Sequence, residues 1–167
     1  MTVDQPLKRE QARMSEPMKA FTEPSGISHL FGVADLEVIE GMFPAETTIW
    51  HLGDPYPEWL MTGPNGVTFG LERDVRAYVR YELWDVPPPP PDPSWRTWEG
   101  EIFLTSGRIV AVSFFDEADY HTVFDLGRRA AKWPVRISTK APVNVDDPAF
   151  PRDIFRVHLF TLQFWIG

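Results

Sequence analysis

The stretch VRAYVRYEL, residues 75–83, decides the fold class of this 167-residue chain. Successive residues of a β-strand point to opposite faces, so every second side chain shares a face. The two faces of this stretch differ in polarity: Val75, Ala77, Val79, Tyr81 and Leu83 form an apolar face, and Arg76, Tyr78, Arg80 and Glu82, followed by Trp84, form a mixed polar face. The alternation predicts a half-buried antiparallel strand.

Other β-prone runs lie between turn residues along the chain. Residues 101–105 and 108–115 are joined by Ser106 and Gly107, and the glycine can take the positive φ of a tight turn, which predicts a β-hairpin. Further strands are predicted at 67–69, 121–124, 135–139 and 154–165. The last run is apolar on both faces towards its end, so we expect it in the middle of a sheet.

These strands predict an all-β fold. Residues 29–43 fit either a strand or a helical stripe, and we favour the strand. The chain has 17 prolines, which are disfavoured inside helices. Short strands spaced by turns are typical of a two-sheet antiparallel β-sandwich or an open barrel. We expect one such domain over residues 26–167, preceded by a mobile tail, residues 1–25, which has too few large apolar residues to form a core.

Residues 87–91 are five consecutive prolines, a sequence that forms a stiff polyproline II rod. We interpret the run as a rigid crossover between the strand at 75–84 and a strand at 98–105. The alternative is a ligand for a proline-binding domain.

The sequence has no recognisable catalytic or metal-binding pattern. It contains no cysteine, and its four histidines (His29, His51, His121 and His158) are too far apart to form a metal pair on one element. Glycine-rich nucleotide motifs are absent. We therefore expect neither a cofactor nor a metal. Glu99 and Glu101 share one face of a predicted strand, which leaves a carboxylate hydrolase as a minor alternative.

Hydropathy and cysteine usage bear on the compartment. No window of about 18 residues is continuously apolar, so no membrane span is expected. The first 25 residues are polar and lack the pattern of a signal peptide. Absence of cysteine fits a reducing environment. These features together predict a cytoplasmic protein.

Charge is distributed unevenly along the chain. No lysine or arginine stands between Lys19 and Arg73, and this interval holds eight acidic residues: Glu23, Asp35, Glu37, Glu40, Glu46, Asp54, Glu58 and Glu72. The rest of the chain is nearly neutral, so the interval accounts for the net charge of −8. A field of one negative sign repels nucleic acid and favours the approach of a basic partner.

Aromatic residues lie among these carboxylates. Aromatic anchors ringed by charge are typical of interface hot spots. We therefore predict an interface that includes Asp35, Glu37, Glu40, Glu46, Trp50, His51, Asp54, Tyr56, Glu58 and Trp59. The alternative is that the acidic loops only keep the protein soluble and that Trp50 and Trp59 belong to the core.

Several short sequence motifs follow one another between residues 28 and 139. They are EWLMTGPNGVTFG at 58–70, the strand at 75–84, the segment 95–115, FDLG at 124–127 and WPVRI at 133–137. This order resembles the bacterial competence nuclease inhibitor family and related small β-rich bacterial proteins that end in an aromatic strand such as LFTLQFW at 159–165. The resemblance implies a compact β domain that caps a DNA-degrading nuclease and needs no cofactor. The chain departs from the family at 127–134, where GRRAAKWP replaces a Leu-Pro-x-Gly-x-Tyr turn.

Residues and resemblance together favour a non-enzymatic protein that binds a basic protein partner, such as a nuclease or a toxin, as an inhibitor or immunity factor. The partner would be neither nucleic acid nor a membrane. An alternative from another class is a β domain that binds a small molecule in a pocket of tryptophan and tyrosine side chains at the open end of the sandwich, since aromatic residues make up 14% of the chain.

Overall fold

The computed structural model describes residues 16–25, 30–70, 76–113, 122–143, 149 and 157–167. Within this part of the chain the structure has ten strands, one helix and two short 3-10 turns. The strands are β1 (Lys19–Ser25), β2 (Leu30–Asp35), β3 (Leu60–Gly63), β4 (Gly66–Phe69), β5 (Arg76–Trp84), β6 (Arg96–Leu104), β7 (Arg108–Ser113), β8 (Phe124–Asp125), β9 (Ala131–Val143) and β10 (Val157–Trp165). The helix α1 is Leu36–Glu40, and the 3-10 turns are Ala45–Thr47 and Ile49–His51.

The strands form two five-stranded sheets. Sheet A has the order β1-β5-β10-β9-β6, and sheet B has the order β3-β4-β2-β7-β8. The two sheets pack as a sandwich and the described strands do not close into a barrel, so the predicted all-β two-sheet fold is confirmed.

One strand pair departs from the predicted antiparallel arrangement. β5 and β10 are parallel, whereas the other described pairs are antiparallel. Parallel neighbours need a long connection between them. More than seventy residues separate β5 from β10 in the sequence, so the chain has ample length for that connection.

The core lies between the two sheets. The apolar face of β5 (Ala77, Val79 and Tyr81) is buried in it, as the alternation predicts. Aromatic rings join the sheets: Phe69 of β4 lies 4.5 Å from Phe160 of β10 between ring centroids, and Tyr81 stacks on Phe124 of β8 at 5.3 Å. β10 lies between β5 and β9, which confirms its predicted central position.

The predicted hairpin around Ser106 and Gly107 is wrong. Gly107 has the expected positive φ of 71°, but β6 before it belongs to sheet A and β7 after it belongs to sheet B. The turn is therefore a corner between the two sheets. Hydrogen bonds from the turn to Asp35 of sheet B hold this corner, so a contact distant in sequence overrides the local hairpin pattern.

Residues 30–40 combine both structures that the sequence allowed. The strand β2 ends at Asp35, and the side chain of Asp35 then caps the short helix α1 by accepting a hydrogen bond from the backbone N–H of Glu37. The preference for a strand is thus right for residues 30–35 and wrong for 36–40.

The first strand lies where the tail was expected. Residues 19–25 form β1, which pairs with β5 over seven residues, because the β5 edge offers unsatisfied backbone groups that a short strand can pair with. The predicted tail is therefore wrong for residues 19–25. Residues 1–15 lie outside the described residues, and the division into one tail and one domain stays a prediction.

His29, His121 and residues 154–156 lie outside the described part of the chain. No helix in the described part is long and apolar enough to cross a membrane. Among the described residues, no three histidine or acidic side chains lie close enough together to hold a metal ion.

Candidate functional site

The connection between β2 and β3, residues 36–59, carries most of the predicted interface residues and is called the β2–β3 connection below. It packs on the face of sheet B that points away from sheet A. Leu36 of α1 and Ile49 of the second 3-10 turn bury against Ala34, Val110 and Val112 of that face. This small second core fixes one side of the connection and leaves the other side in solvent.

Asp35 anchors the start of the connection but lies beneath its surface. The side chain is 0% exposed, and its two carboxylate oxygens accept four hydrogen bonds. The donors are the backbone N–H groups of Glu37, Ser106 and Gly107 and the hydroxyl of Ser106, at 2.7–3.1 Å. A buried carboxylate with these partners presents no charge to a protein partner, so Asp35 does not belong to the predicted interface.

Asn65 anchors the middle of the connection. This buried residue, in the turn between β3 and β4, adopts a positive φ of 65°. Its side-chain amide donates to the carbonyl oxygen of Thr47 at 2.9 Å and accepts from the N–H of Thr105 at 2.8 Å. One side chain therefore ties the β2–β3 connection to the corner that joins the two sheets.

Glu37 is partly neutralised. Its carboxylate forms an ion pair with Arg129 at 2.8 Å, and both side chains are largely solvated. Exposed pairs of this kind contribute at most about 1 kcal/mol to stability. Glu37 therefore offers a partner less negative charge than the sequence suggests.

Four carboxylates of the connection remain on its surface. Glu40, Glu46, Asp54 and Glu58 are exposed, and none of them lies within ion-pair distance of a described lysine or arginine. Asp54 accepts a hydrogen bond from the backbone N–H of Tyr56 at 2.9 Å, which closes a local turn and leaves its charge in solvent. His51 is exposed on the same connection.

Large apolar side chains lie exposed beside these carboxylates. Of the eight large hydrophobic residues that are exposed in the described chain, four belong to the β2–β3 connection: Met42, Phe43, Trp50 and Tyr56. Trp50 is 45% exposed and Tyr56 is 76% exposed. Met42 and Phe43 were not among the predicted interface residues; the signal for them in the sequence is their place between Gly41 and Pro44, two residues typical of turns.

Trp59 has a different role from Trp50. It is half-buried and packs against the main core, with the guanidinium of Arg96 5.5 Å from its ring centroid. Trp59 therefore packs against the core, whereas Trp50 is exposed.

The two carboxylates of the hydrolase alternative lie elsewhere, on β6. Glu99 accepts a hydrogen bond from Nε of Arg136 at 2.5 Å, and Glu101 is exposed two residues further along the strand. The bond to Arg136 holds the Glu99 carboxylate against the sheet.

The class of protein that these observations define is a two-sheet β-sandwich with a folded connection packed on the outside of one sheet. No family model matches the chain, and no curated protein matches it in sequence. The sandwich is similar to the crystal structure of ComJ, the inhibitor of the DNA-degrading activity of NucA from Bacillus subtilis. The TM-score is 0.56 and the identity 14%, over 91% of this chain and 98% of ComJ.

A second solved structure, titled crocagin biosynthetic gene J, matches with a TM-score of 0.49 and 16% identity, over 87% of this chain and 98% of that one. The likeness to ComJ supports the resemblance to the competence nuclease inhibitor family, and it does so at the level of the fold.

Proposed function

We propose that this chain is a non-enzymatic inhibitor that binds a basic protein, a nuclease in the first instance, through the exposed side of the β2–β3 connection. The observation that carries the proposal is the combination of exposed Met42, Phe43, Trp50 and Tyr56 with four solvated carboxylates on one connection. Hydrophobic and aromatic anchors supply most of the binding energy in such interfaces, and a charged rim governs the choice of partner and the rate of association.

Charge supports a basic partner rather than nucleic acid. The connection contains no lysine or arginine, so a phosphate backbone would find no cation there. A nuclease presents a cationic cleft to its substrate, and an acidic surface complements that cleft. ComJ, which has a similar fold, is an inhibitor of a DNA-degrading activity, and this supports the same class of partner.

Charge reversal at two exposed positions tests the proposal. The partner is captured from native lysate, identified and purified, and its Kd is measured over a range of salt concentrations. Glu40→Lys combined with Glu58→Lys should weaken binding by about tenfold or more at low salt and flatten the salt dependence. The matched control is Asp85→Lys combined with Glu101→Lys, which changes the net charge equally at exposed positions outside the connection.

Two further measurements complete the test. Trp50→Ala combined with Tyr56→Ala should weaken binding at every salt concentration, because the loss is of apolar contact area. The purified chain should also inhibit DNA degradation by its partner. Equal weakening by the two charge-reversed pairs would reject the β2–β3 connection as the docking surface, and a partner without nuclease activity would reject the class of target.

A further inference from the structure

A second candidate site lies on the outer face of sheet A, away from the β2–β3 connection. The proline run crosses this face on its way from β5 to β6, and a groove of about 400 Å³ remains between the prolines and the sheet. Trp84, Trp95 and Pro90 line it together with polar side chains from β5, β9 and β10. The volume lies in the range of roughly 300–1,000 Å³ that is typical of ligand sites.

The floor of the groove belongs to two polar rows that run across the strands, and all residues of these rows except Arg136 line the groove. Strand register places Arg80, Thr161 and Ser138 side by side in one row and Glu82, Gln163 and Arg136 side by side in the next. Sheet faces that point to solvent are commonly polar, but these residues are covered: Glu82 is 7% exposed and Arg136 is 8% exposed. Their cover is the proline run, because Arg136 donates to the carbonyl oxygens of Pro88 and Pro89, the latter at 2.6 Å.

Charges in the floor are largely paired with one another. Glu82 accepts hydrogen bonds from Nε of Arg80 at 2.6 Å, from the Trp84 indole N–H at 2.9 Å and from the Gln163 amide at 2.7 Å. Arg136 is likewise bound to Glu99. A charged ligand would therefore have to compete with existing partners in a covered site, which is costly.

Hydrogen-bonding capacity remains beside these pairs. Within the described residues, the Nη2 group of Arg80 and the hydroxyl of Thr161 have no hydrogen-bond partner. Among the described residues the hydroxyl of Ser138 bonds to that of Thr97 alone, at 3.1 Å, so it retains capacity as well. The groove thus offers both donors and acceptors close to the half-buried ring of Trp95, whereas Trp84 is only 4% exposed and its indole N–H is bound to Glu82.

We infer that this groove binds a neutral polyhydroxylated ring, that is, a sugar of one or two residues. Each sugar hydroxyl is a donor and an acceptor, which matches a floor of hydroxyls, an amide and a guanidinium N–H. The apolar C–H face of a sugar ring packs on tryptophan, and the ring that can take this role is that of Trp95. We expect a neutral ligand because the lining carries both signs of charge. Arg80 would repel a cation, and Glu82 and Asp92 would repel an anion.

Titration of the full chain with neutral sugars tests this inference by NMR of the tryptophan indole and glutamine amide groups. Glucose, galactose, N-acetylglucosamine and maltose are added up to about 20 mM, which detects a Kd of about 1 mM. At least one sugar should shift the signals of Trp95 and the Gln163 side chain and leave that of Trp50 unchanged. Trp95→Ala should abolish the shifts, and Trp50→Ala should leave them as in the wild-type chain.

A further variant and two charged sugars distinguish loss of ligand binding from loss of the fold. Thr161→Val keeps the size of the side chain and removes its hydroxyl, so it should weaken sugar binding at least fivefold without moving the unfolding midpoint by more than a few degrees. Absence of any shift with the four sugars overturns the inference. Shifts with glucuronate or glucosamine alone also overturn it, because they assign the groove to a charged ligand. Either result leaves the proposed inhibitor function untouched, since the groove and the β2–β3 connection lie on different sheets.

Discussion

Asp35 holds together three parts of the chain. Its carboxylate caps α1 and also accepts hydrogen bonds from two backbone N–H groups and one hydroxyl of the corner between the sheets. Removing it would leave buried donors without partners, each at a cost of about 1–3 kcal/mol. We expect Asp35→Ala to lower the free energy of unfolding by about 3–5 kcal/mol in urea titrations.

Two variants control for this result. Asp35→Asn keeps an acceptor oxygen and should lose less stability than Asp35→Ala. Glu40→Ala removes an exposed carboxylate of the same segment and should change stability by at most about 0.5 kcal/mol. If Asp35→Ala behaved like Glu40→Ala, the buried carboxylate would have no structural role.

Tyr81 makes stability depend on alkaline pH. Burial raises the pKa of its phenol well above the ordinary value of 10.0, and the nearby Glu23 carboxylate raises it further. The unfolded chain therefore releases this proton near pH 10 while the folded chain keeps it. Stability is unaffected below pH 10 and falls above it, by up to about 1.4 kcal/mol per pH unit.

Unfolding titrations between about pH 9 and 11.5 measure this effect. Tyr81→Phe should show a shallower decline than the wild-type chain above pH 10. Tyr56→Phe is the control, since that ring lies on the surface, and it should keep the wild-type slope. Parallel declines for wild type and Tyr81→Phe would show that the phenol is not shielded.

The corner at residues 105–107 depends on a close approach of two backbone segments. A Cβ on Gly107 would lie 2.2 Å from the carbonyl oxygen of Arg128, and the positive φ adds strain of its own. We expect Gly107→Ala to lower the free energy of unfolding by about 3 kcal/mol or more. Gly127 also has a positive φ but an open surrounding, so Gly127→Ala should cost only about 1–2 kcal/mol.

The comparison of these two glycines separates steric contact from backbone strain. Chemical denaturation of both variants measures it. Equal losses would mean that the approach of the Arg128 carbonyl to the corner does not constrain the chain.

Strand positions could be predicted from the sequence, whereas strand partners could not. Alternation of apolar and polar residues located β5 and the central β10, because the period of two is a local property. The corner at Gly107 has the same local signature as a hairpin. Its strands enter different sheets because of hydrogen bonds to Asp35, 71 residues away from Ser106 in the sequence, which no local pattern contains.

The candidate site was predictable in part for the same reason. The run without lysine or arginine identified the connection and its exposed carboxylates directly from the sequence. The sequence could not show that Asp35 is buried, unlike the exposed acidic residues, or that Trp59 packs against the core while Trp50 is exposed. These differences depend on how the connection packs on sheet B, which is a contact between distant parts of the chain. Met42 and Phe43 escaped prediction because a large apolar residue is more often in the core than on the surface.

The length of the proline run matches the distance that it crosses. From β5 to β6 the chain passes over β10 and β9, which is three interstrand spacings or about 14 Å. Five residues of polyproline II extend over about 15 Å. The crossover interpretation of the run is therefore consistent with the sheet order.

The strand β1 is the first element in the described part of the chain, and it covers one edge of β5. We expect a deletion of residues 1–15 to change the free energy of unfolding by less than about 0.5 kcal/mol, because their composition predicts no core contribution. A deletion of residues 1–25 removes β1, uncovers the edge of β5 and takes Phe21 from the core. It should lower stability by about 3 kcal/mol or more and promote aggregation.

Thermal unfolding and size-exclusion chromatography of the two shortened chains measure this prediction. Similar behaviour of both chains would mean that β1 is dispensable and that the domain begins after residue 25, as the sequence predicts. A large effect of the shorter deletion would instead place structural contacts within residues 1–15.

The central position of β10 also bears on how the protein is made. While a ribosome is still translating the segment before residue 157, β5 and β9 each lack the neighbour that later separates them. Local hairpins can form during that time, but sheet A gains its middle strand only once residues 157–165 have emerged. Folding of the sandwich therefore waits for residues 157–165 to emerge, and nascent chains arrested before residue 157 will expose strand edges that chaperones recognise.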